Sequence, residues 1–437
     1  MRKGLDENII RYISAVKKEP DWMLKFRLDS FKNFKKHKMP NFGPDLSFID
    51  FSSYTYFSRE LKNAKTKWSD VPNKIKNVFN KIGIPEAEQK FLSGVTAQYG
   101  SEAIYNNLMN DLKKKGVIFL STDQAVQQYP ELVKKYIGKV VSNNDNKFAA
   151  LNGAVWSGGV FIYIPKGIHI DKPLQSYFRI NDNKFGQFER TLIIVDEGAS
   201  VHYLEGCSAP IFSNDSLHAG VVEIFVLKNA KCRYSTVQNW STNVINLVTK
   251  RAVVNENGKM EWIDGNIGSA INMKYPACIL KEKKAVGFCV SVAIAAEKQQ
   301  LQDAGARMIH LAPDTHSTIL SKSIASNGGV ANYRGTVRHS RIALNSSSHV
   351  ECDTLLLDER SESSTIPKNE IFNNQSYIEH EAFVSKISEE KLFYLMSRGI
   401  DKKKAIQLII VGFIAPFSNE LPLEYAVEFN RLIKTYF

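Results

Sequence analysis

Apolar residues recur at helical spacing in the first stretch of the chain, where Ile9, Ile10, Ile13 and Val16 fall on one side of a helical period. The pattern predicts helices over 7–18 and 21–36, the second capped by Asp21 behind Pro20. Residues 101–115 read as a further helix that stops at Gly116. The texture changes near Asn146. Residues 155–164 are rich in β-branched and aromatic side chains, and from there to about Ile371 short strands dominate, bounded by Gly, Asn, Asp and Lys. Helical spacing returns at the end. Ser388 is placed to cap a helix over 389–398 closed by Gly399, Asp401 to cap a second through Val411, and a third runs from about Leu423 to Lys434.

Inside the strand-rich part, a turn of small residues recurs ahead of a strand. Its copies are Ala199-Ser200-Val201, Ala230-Lys231-Cys232, Gly258-Lys259-Met260, Ala285-Val286-Gly287, Thr315-His316-Ser317 and Ser347-Ser348-His349, at intervals of 31, 28, 27, 30 and 32 residues. No helical period lies between the copies, which argues against parallel strands joined by helices. A repeat of about thirty residues built from strands alone predicts a β-solenoid, each unit burying its face on the next. A β-sandwich, whose turns recur at short intervals, is the alternative. The expected division is a helical region over 1–145, a β-helix core over 146–375 and a helical region over 376–437.

Composition narrows the class. Of 437 residues, 43% are hydrophobic and 23% charged, which excludes a disordered chain. The net charge is +12, and much of the excess sits early, in Lys32, Lys35, Lys36 and Lys38 and in Lys62, Lys65 and Lys67, alternating with aromatics such as Phe31 and Phe34. We read these as solvated faces of amphipathic helices, with no nucleic-acid partner. Five cysteines without a CxxC pair argue against a disulfide framework and a zinc site. Free thiols fit a reducing compartment, and the polar run 2–7 after Met1 is not a secretory leader. The apolar stretch 408–417 contains Gly412 and Pro416 and is too short to span a bilayer. A cytoplasmic protein without membrane partners is expected.

Three constellations carry chemistry. Glu205-Gly206-Cys207-Ser208 ends a strand and sets a thiol between small residues, where a carrier reaches it; the alternative is a buried, inert cysteine. In 349–353, strand alternation turns His349, Glu351 and Asp353 to one face and Val350 and Cys352 to the other. Cys352 therefore needs ligands from elsewhere. In Glu379-His380-Glu381 the two carboxylates share a face and offer donors suited to iron, although a solvated surface triplet has the same form. No GxxxxGK[ST], GxSxG or HExxH motif occurs, so any ATP hydrolysis belongs to another subunit.

Many ordered runs resemble one family. They include Phe148-Ala149-Ala150-Leu151-Asn152, Tyr177-Phe178-Arg179-Ile180-Asn181, Gly186-Gln187-Phe188-Glu189-Arg190-Thr191, the strand from Val201 to Cys207, Gln238-Asn239-Trp240, Val248-Thr249-Lys250-Arg251, Tyr333-Arg334-Gly335 and Glu379-His380-Glu381-Ala382. Over nearly the whole chain these are similar to the SufB branch of the SufB/SufD family of iron–sulfur cluster assembly proteins. The run from Trp262 to Gly268 is nearest to the form found in Gram-positive-like bacteria.

The resemblance implies a mainly β fold, a right-handed parallel β-helix flanked by helical regions. It implies an assembly scaffold, not an enzyme, that pairs with SufD and docks the ATPase SufC through its C-terminal helices. Sulfur would come as a persulfide from the cysteine desulfurase SufS through a carrier of SufU or SufE type. Cys207 matches the sulfur acceptor, and Arg179, Asn181, Gln238, Trp240 and Lys250 match residues of the sulfur route. Cys352 and Glu381 match residues that hold the nascent iron–sulfur cluster near SufD, where a SufD histidine contributes. The family is also associated with reduced flavin, for which no site is assigned. Cys232, Cys278 and Cys289 match no functional position and are read as structural. A SufD-like structural partner and a polysaccharide-active β-helix enzyme are the competing functions. The two cysteines count against the first, and the absence of a leader against the second.

Overall fold

The computed structural model describes residues 3–58, 92–99, 101–179, 186–208 and 215–437. Asn181 and the Lys62, Lys65 and Lys67 cluster lie outside the described residues. The chain winds into a β-solenoid of about seven turns with helices at both ends. One wall is a ten-stranded sheet of β1 (Gly94–Tyr99), β2 (Glu102–Leu108), β3 (Leu174–Arg179), β4 (Ser200–Ser208), β5 (Lys231–Trp240), β6 (Lys259–Gly268), β7 (Val286–Ala295), β8 (His316–Ala325), β9 (Ser347–Leu356) and β10 (Tyr377–Lys386). Apart from β2, which caps one end antiparallel to β1, the strands are parallel and lie in chain order.

Register follows the turns read from the sequence. Lys231 lies opposite Ser200, Lys259 opposite Lys231, Val286 opposite Lys259, His316 opposite Val286, Ser347 opposite His316 and Tyr377 opposite Ser347, so successive coils take 31, 28, 27, 30, 31 and 30 residues. The corner before each strand has a physical signature. Gly198, Asn229, Asn257, Lys284, Asp314 and Asn345 all have left-handed backbones, with φ of 54–68°. Glycine, asparagine and aspartate tolerate that conformation best. The N–H groups of the first five corners also bond a carbonyl one coil further on, as Asn229 N does with Glu256 O and Asp314 N with Leu344 O, both at 2.9 Å.

The opposite wall is a thirteen-stranded sheet. Its parallel path includes Val160–Ile164, Arg190–Val195, Val221–Val226 and Val244–Val254. Between the walls lies an apolar core that includes Ile162, Ile193, Ile224 and Val254 on one side and Tyr203, Tyr234, Trp262, Ile319 and Val350 on the other.

The expected helix over 101–115 is mostly strand. β2 takes 102–108, and only Asn110–Lys114 is helical. Pairing with β1 supplies β2 with ladder partners, and that tertiary pairing overrides the local period. Strands of the solenoid sheet thus occur on both sides of 146–375, from Gly94 to Lys386.

At the N-terminus, α1 (Glu7–Val16) is capped by Asp6, whose Oδ1 accepts the Ile9 N–H at 2.8 Å, and α2 (Asp21–Lys36) follows. Asp21 does not cap α2. Pro20 occupies the cap position with an extended backbone, and no side chain bonds the first turn. Both helices pack with α3 (Lys147–Val155) over Phe188, Leu217, Ile245 and Leu247.

At the C-terminus, α4 (Glu389–Ser397) and α5 (Lys402–Phe413) carry the caps expected of Ser388 and Asp401, which accept the N–H groups of Lys391 at 3.2 Å and Lys404 at 3.0 Å. With α6 (Leu423–Tyr436), they lay Ile410, Ile414, Phe417, Phe429 and Ile433 on the outer face of the ten-stranded sheet against Ile263, Val290, Val292 and Ile324. Gly265 permits this approach, since a Cβ there would stand 2.7 Å from the Phe417 ring. Among the described residues, no helix is long and apolar enough to cross a membrane.

Candidate functional site

Strand alternation turns Tyr203, Glu205 and Cys207 of β4 to the solenoid interior. Parallel register repeats the choice in every coil. One row runs Glu205, Thr236, Asp264, Ser291, Ser321 and Cys352; the row beside it starts Cys207, Gln238 and Asn266. Polar side chains therefore form stripes along the axis, flanked by the apolar row from Tyr203 to Val350. Cys207 on β4 and Cys352 on β9 share this interior face, five strand spacings apart, or about 24 Å.

Cys207 is enclosed, with only 4% of its surface exposed, so the accessible thiol expected from its small neighbours is not found. Gly206 and Cys207 point to opposite faces, and it is the glycine that meets the Tyr177 ring outside. The Cys207 sulfur lies 3.6 Å from Glu205 Oε1, and Glu205 Oε2 accepts the Tyr234 hydroxyl at 2.5 Å. Burial pushes the Cys207 thiol well up, Glu205 and Glu189 push it the same way, and Lys250 and Lys274 oppose them. Burial likewise raises the Glu205 carboxyl.

The two ammonium groups come from the opposite wall. Lys250 Nζ donates to Asp264 Oδ1 at 3.1 Å and to Thr236 Oγ1 at 3.3 Å, and stands 4.6 Å from the centre of the Tyr234 ring. Lys274 Nζ lies 2.9 Å from Asp264 Oδ2 and donates to Gln238 Oε1 at 2.9 Å. One carboxylate thus serves two buried cations. Burial alone would raise the Asp264 carboxyl, but Lys250 and Lys274 outweigh it and hold it well below the usual range. Burial draws the Lys274 ammonium down to about 8 against the attraction of Asp264.

A second polar stripe lines this wall. Gln187, His218, Asn246, Asn272 and Gln302 stand in register on successive parallel strands. Asn246 Nδ2 donates to Asn272 Oδ1 at 2.6 Å and to Gln238 Oε1 at 3.1 Å, joining the two stripes. His218 bonds Asn246 and Glu189; burial lowers its pKa, but Glu189 outweighs burial and the net shift is upward. The Trp240 ring packs 5.1 Å from the His218 ring. Around these groups, Gln187 Oε1 and Nε2, Glu189 Oε2, Ser216 Oγ and Trp240 Nε1 are buried with no hydrogen-bond partner among the described residues. Unpaired buried polar atoms in such a cluster offer contacts to a polar guest.

The Cys352 end is built differently. Cys352 is buried on β9, which pairs with β10, the edge strand of the sheet. Its sulfur lies 3.3 Å from His380 Nε2 and donates to the Glu381 carbonyl at 3.3 Å. Asn369 Nδ2 lies 3.3 Å from His380 Nδ1. With that amide donating to Nδ1, the ring proton sits on Nε2 and faces the sulfur. Burial lifts the Cys352 thiol to about 11, and Asp353 and Glu351 add to the rise. Outside, Lys322 Nζ holds Glu351 and Asp353, each at 2.5 Å. Glu381 stands opposite Glu351 on this outer face, so its backbone meets Cys352 while its side chain alternates away.

The sequence-selected residues are thus partly gathered. Gln238, Trp240 and Lys250 join one buried network with Cys207's neighbour Glu205. Arg179 ends β3 opposite Ser208. Cys352 stands apart with His380. Glu189, His218, Asp264 and Lys274 were not singled out from sequence, although Asp264 shares the strand parity of Trp262. No group of three His, Cys, Asp or Glu suited to a metal ion occurs among the described residues. Cys232, Cys278 and Cys289 are buried free thiols of the apolar core.

Comparison with known proteins agrees over the chain. Residues 178–413 match the family model described as SUF system FeS cluster assembly, SufBD core domain, and residues 12–176 match that of the SufBD protein N-terminal region. An iron–sulfur cluster assembly SufBD family protein of Staphylococcus aureus is 59% identical over 432 residues, covering 99% of this chain and 93% of the relative. One of Staphylococcus saprophyticus is 58% identical over the same shares. With both models matched in order and identity at this level over nearly its full length, the chain belongs to the SufBD family of iron–sulfur cluster assembly proteins.

Proposed function

We propose that the chain is a SufB-type scaffold, which accepts sulfur at Cys207 and contributes Cys352 to the site where a cluster is built beside a SufD-type partner. The observation that carries this reading is the pair of thiols on one interior face, linked by a polar stripe in fixed register. A purely structural partner has no need of either thiol.

In the first step the Cys207 thiolate attacks the outer sulfur of a carrier's persulfide. The carrier's S–S bond breaks, its own thiolate leaves, and Cys207 holds the persulfide. The source is a desulfurase of SufS type with a SufU or SufE carrier. Lys250 and Lys274 share one carboxylate, and the remaining positive charge offsets the cost of burying anionic sulfur. Gln238 fixes Lys274, and Trp240 walls the route beside His218. Arg179 and Asn181 are assigned to the route by resemblance alone. Iron and sulfide are the substrates at the far end, where Cys352 and His380 face the interior and Glu381 the exterior.

The docking roles rest on exposed surface. β10 leaves Tyr377, Phe383 and Val384 exposed at an unpaired sheet edge, which suits pairing with SufD. Phe393 and Leu423, 74% and 75% exposed on the C-terminal helices, suit SufC, which supplies the ATPase this chain lacks. The reading gives flavin no site. The test combines labelled sulfur from the desulfurase with mass spectrometry of persulfidated peptides. Label must appear on Cys207 before Cys352; label that reaches Cys352 undiminished in Cys207→Ser overturns the route.

A further inference from the structure

Away from the thiols, a half-open cavity of about 330 Å³ lies between the N-terminal helices and the outer face of the thirteen-stranded sheet. Its floor is Ala277. Register places Arg251 and Arg307 directly on either side of that alanine, two strand spacings or about 9.5 Å apart at the backbone. The small residue between two long cations leaves room for a guest. Phe42 and Tyr275, with ring centres 6.2 Å apart, form a side wall.

The cations here are not equally occupied. Arg251 is clamped to Asp145 through two bonds, at 2.6 and 3.1 Å. Lys147 Nζ donates to the carbonyls of His37 at 2.7 Å and Phe34 at 3.1 Å, which leaves its charge uncancelled. The neighbouring Arg334 is held by Asp303 through two bonds of 3.0 Å. Arg307 has neither a hydrogen bond nor an ion pair among the described residues and lies over the Tyr275 ring at 5.1 Å. Burial lowers its pKa; Tyr275 and Asp145 oppose that fall, while the Arg251 and Arg334 guanidiniums add to it. Among the described residues Asp145 is the sole carboxylate lining the cavity, against Lys38, Lys147, Arg251 and Arg307. A half-buried guanidinium with its donors unused among the described residues, beside the uncancelled Lys147, is suited to receive an anion.

We infer that this cavity binds a small phosphate-class oxyanion, received by Arg307 and bordered by Arg251 over the Ala277 floor. The volume lies at the lower end for small-molecule sites, so a pyrophosphate or the phosphates of a nucleoside diphosphate match its scale. The forked guanidinium selects planar pairs of oxygens over halide ions.

Calorimetric titration of the full chain with inorganic pyrophosphate tests the site, with ADP as a parallel arm. Saturable pyrophosphate binding is expected, weakened by at least about tenfold in Arg307→Gln, because a charge-assisted bidentate contact is lost. Tighter binding of ADP than of pyrophosphate identifies a nucleotide as the source, and equal binding identifies the free anion. General attraction to the net charge of +12 is insensitive to this single change, so equal binding by wild type and a folded Arg307→Gln overturns the proposal. Absence of saturable pyrophosphate binding by the wild type overturns it as well. Should Arg307→Gln fail to fold, Ala277→Val decides, since it raises the floor without altering charge and must weaken pyrophosphate binding.

Discussion

The two ends of the interior stripe use the same residue type in opposite surroundings. Cys207 is enclosed by both walls and ringed by charged side chains: two carboxylates that disfavour its thiolate and two ammoniums that favour it. Cys352 has one edge strand beside its own, a histidine ring against its sulfur and its carboxylates outside. A thiol enclosed among balanced charges suits cargo that arrives and moves on. A thiol next to an edge strand, beside a nitrogen donor, suits something assembled and then shared with a neighbour.

Four changes press on that contrast. The largest effect is expected from Cys352→Ala in the complex with its partners. Iron and sulfide retained after anaerobic reconstitution should fall to background, while stability drops by no more than about 1–2 kcal/mol in a melt, because only one sulfur atom is removed. A full complement of cluster in this variant would erase the distinction. Next, Cys207→Ser should reduce labelled sulfur on Cys352 by about tenfold or more (about 1.4 kcal/mol or more in transfer), yet leave reconstitution from free iron and sulfide unchanged. Loss of both would make Cys207 a ligand as well.

A several-fold effect is expected at the histidine. His380→Leu removes the donor facing Cys352 and should slow alkylation of that cysteine at pH 8, with Cys207 unaffected, as read by peptide mass spectrometry. Equal slowing at both thiols would point to a global change. The smallest effect concerns Lys274. Its pKa in the folded chain is about 8, below the ordinary lysine value of 10.5, so between those values the unfolded chain holds the proton more often than the native one. Its contribution to stability therefore rises with pH across this window, by at most about 1.4 kcal/mol per pH unit. Relative to Lys274→Met, wild type should gain stability from pH 8 to 10 in denaturant titrations. Parallel profiles would show that the ammonium at the Cys207 end is not held under strain.

Much of the fold was legible because the corners are written in residue types. Left-handed turns select Gly198, Asn229, Asn257, Asp314 and Asn345, and the small residues after them start the strands. The strand over 102–108 was not legible, because its partner β1 lies outside any local pattern. Alternation correctly separated Cys352 from Glu351 and Asp353. It could not say which face was the inside, since this solenoid buries charged side chains as well as apolar ones. Asp264, Lys274, Glu189 and His218 therefore carried no sign of burial in the sequence. The same ambiguity made Cys207 look reachable when it faces the interior. The C-terminal caps were legible from Ser388 and Asp401. That α5 and α6 cover the sheet was not, so removing them would uncover Ile263 and Val290, and substitution of exposed Phe393 is the cleaner probe of docking.

The in-register winding has a further consequence for how far apart the two thiols can be. Each coil advances the chain by one strand spacing, about 4.8 Å, and returns every side chain to the face it had before. The gap between Cys207 and Cys352 can therefore change only in whole steps. Excising the coil that carries β7 would bring the sulfurs one step closer with both still facing inward. A single-residue deletion within β7 would instead invert the remainder of that strand and break the stripe at Ser291. The solenoid thus acts as a ruler with fixed graduations, one on which a relative could lengthen or shorten the path without redesigning either end.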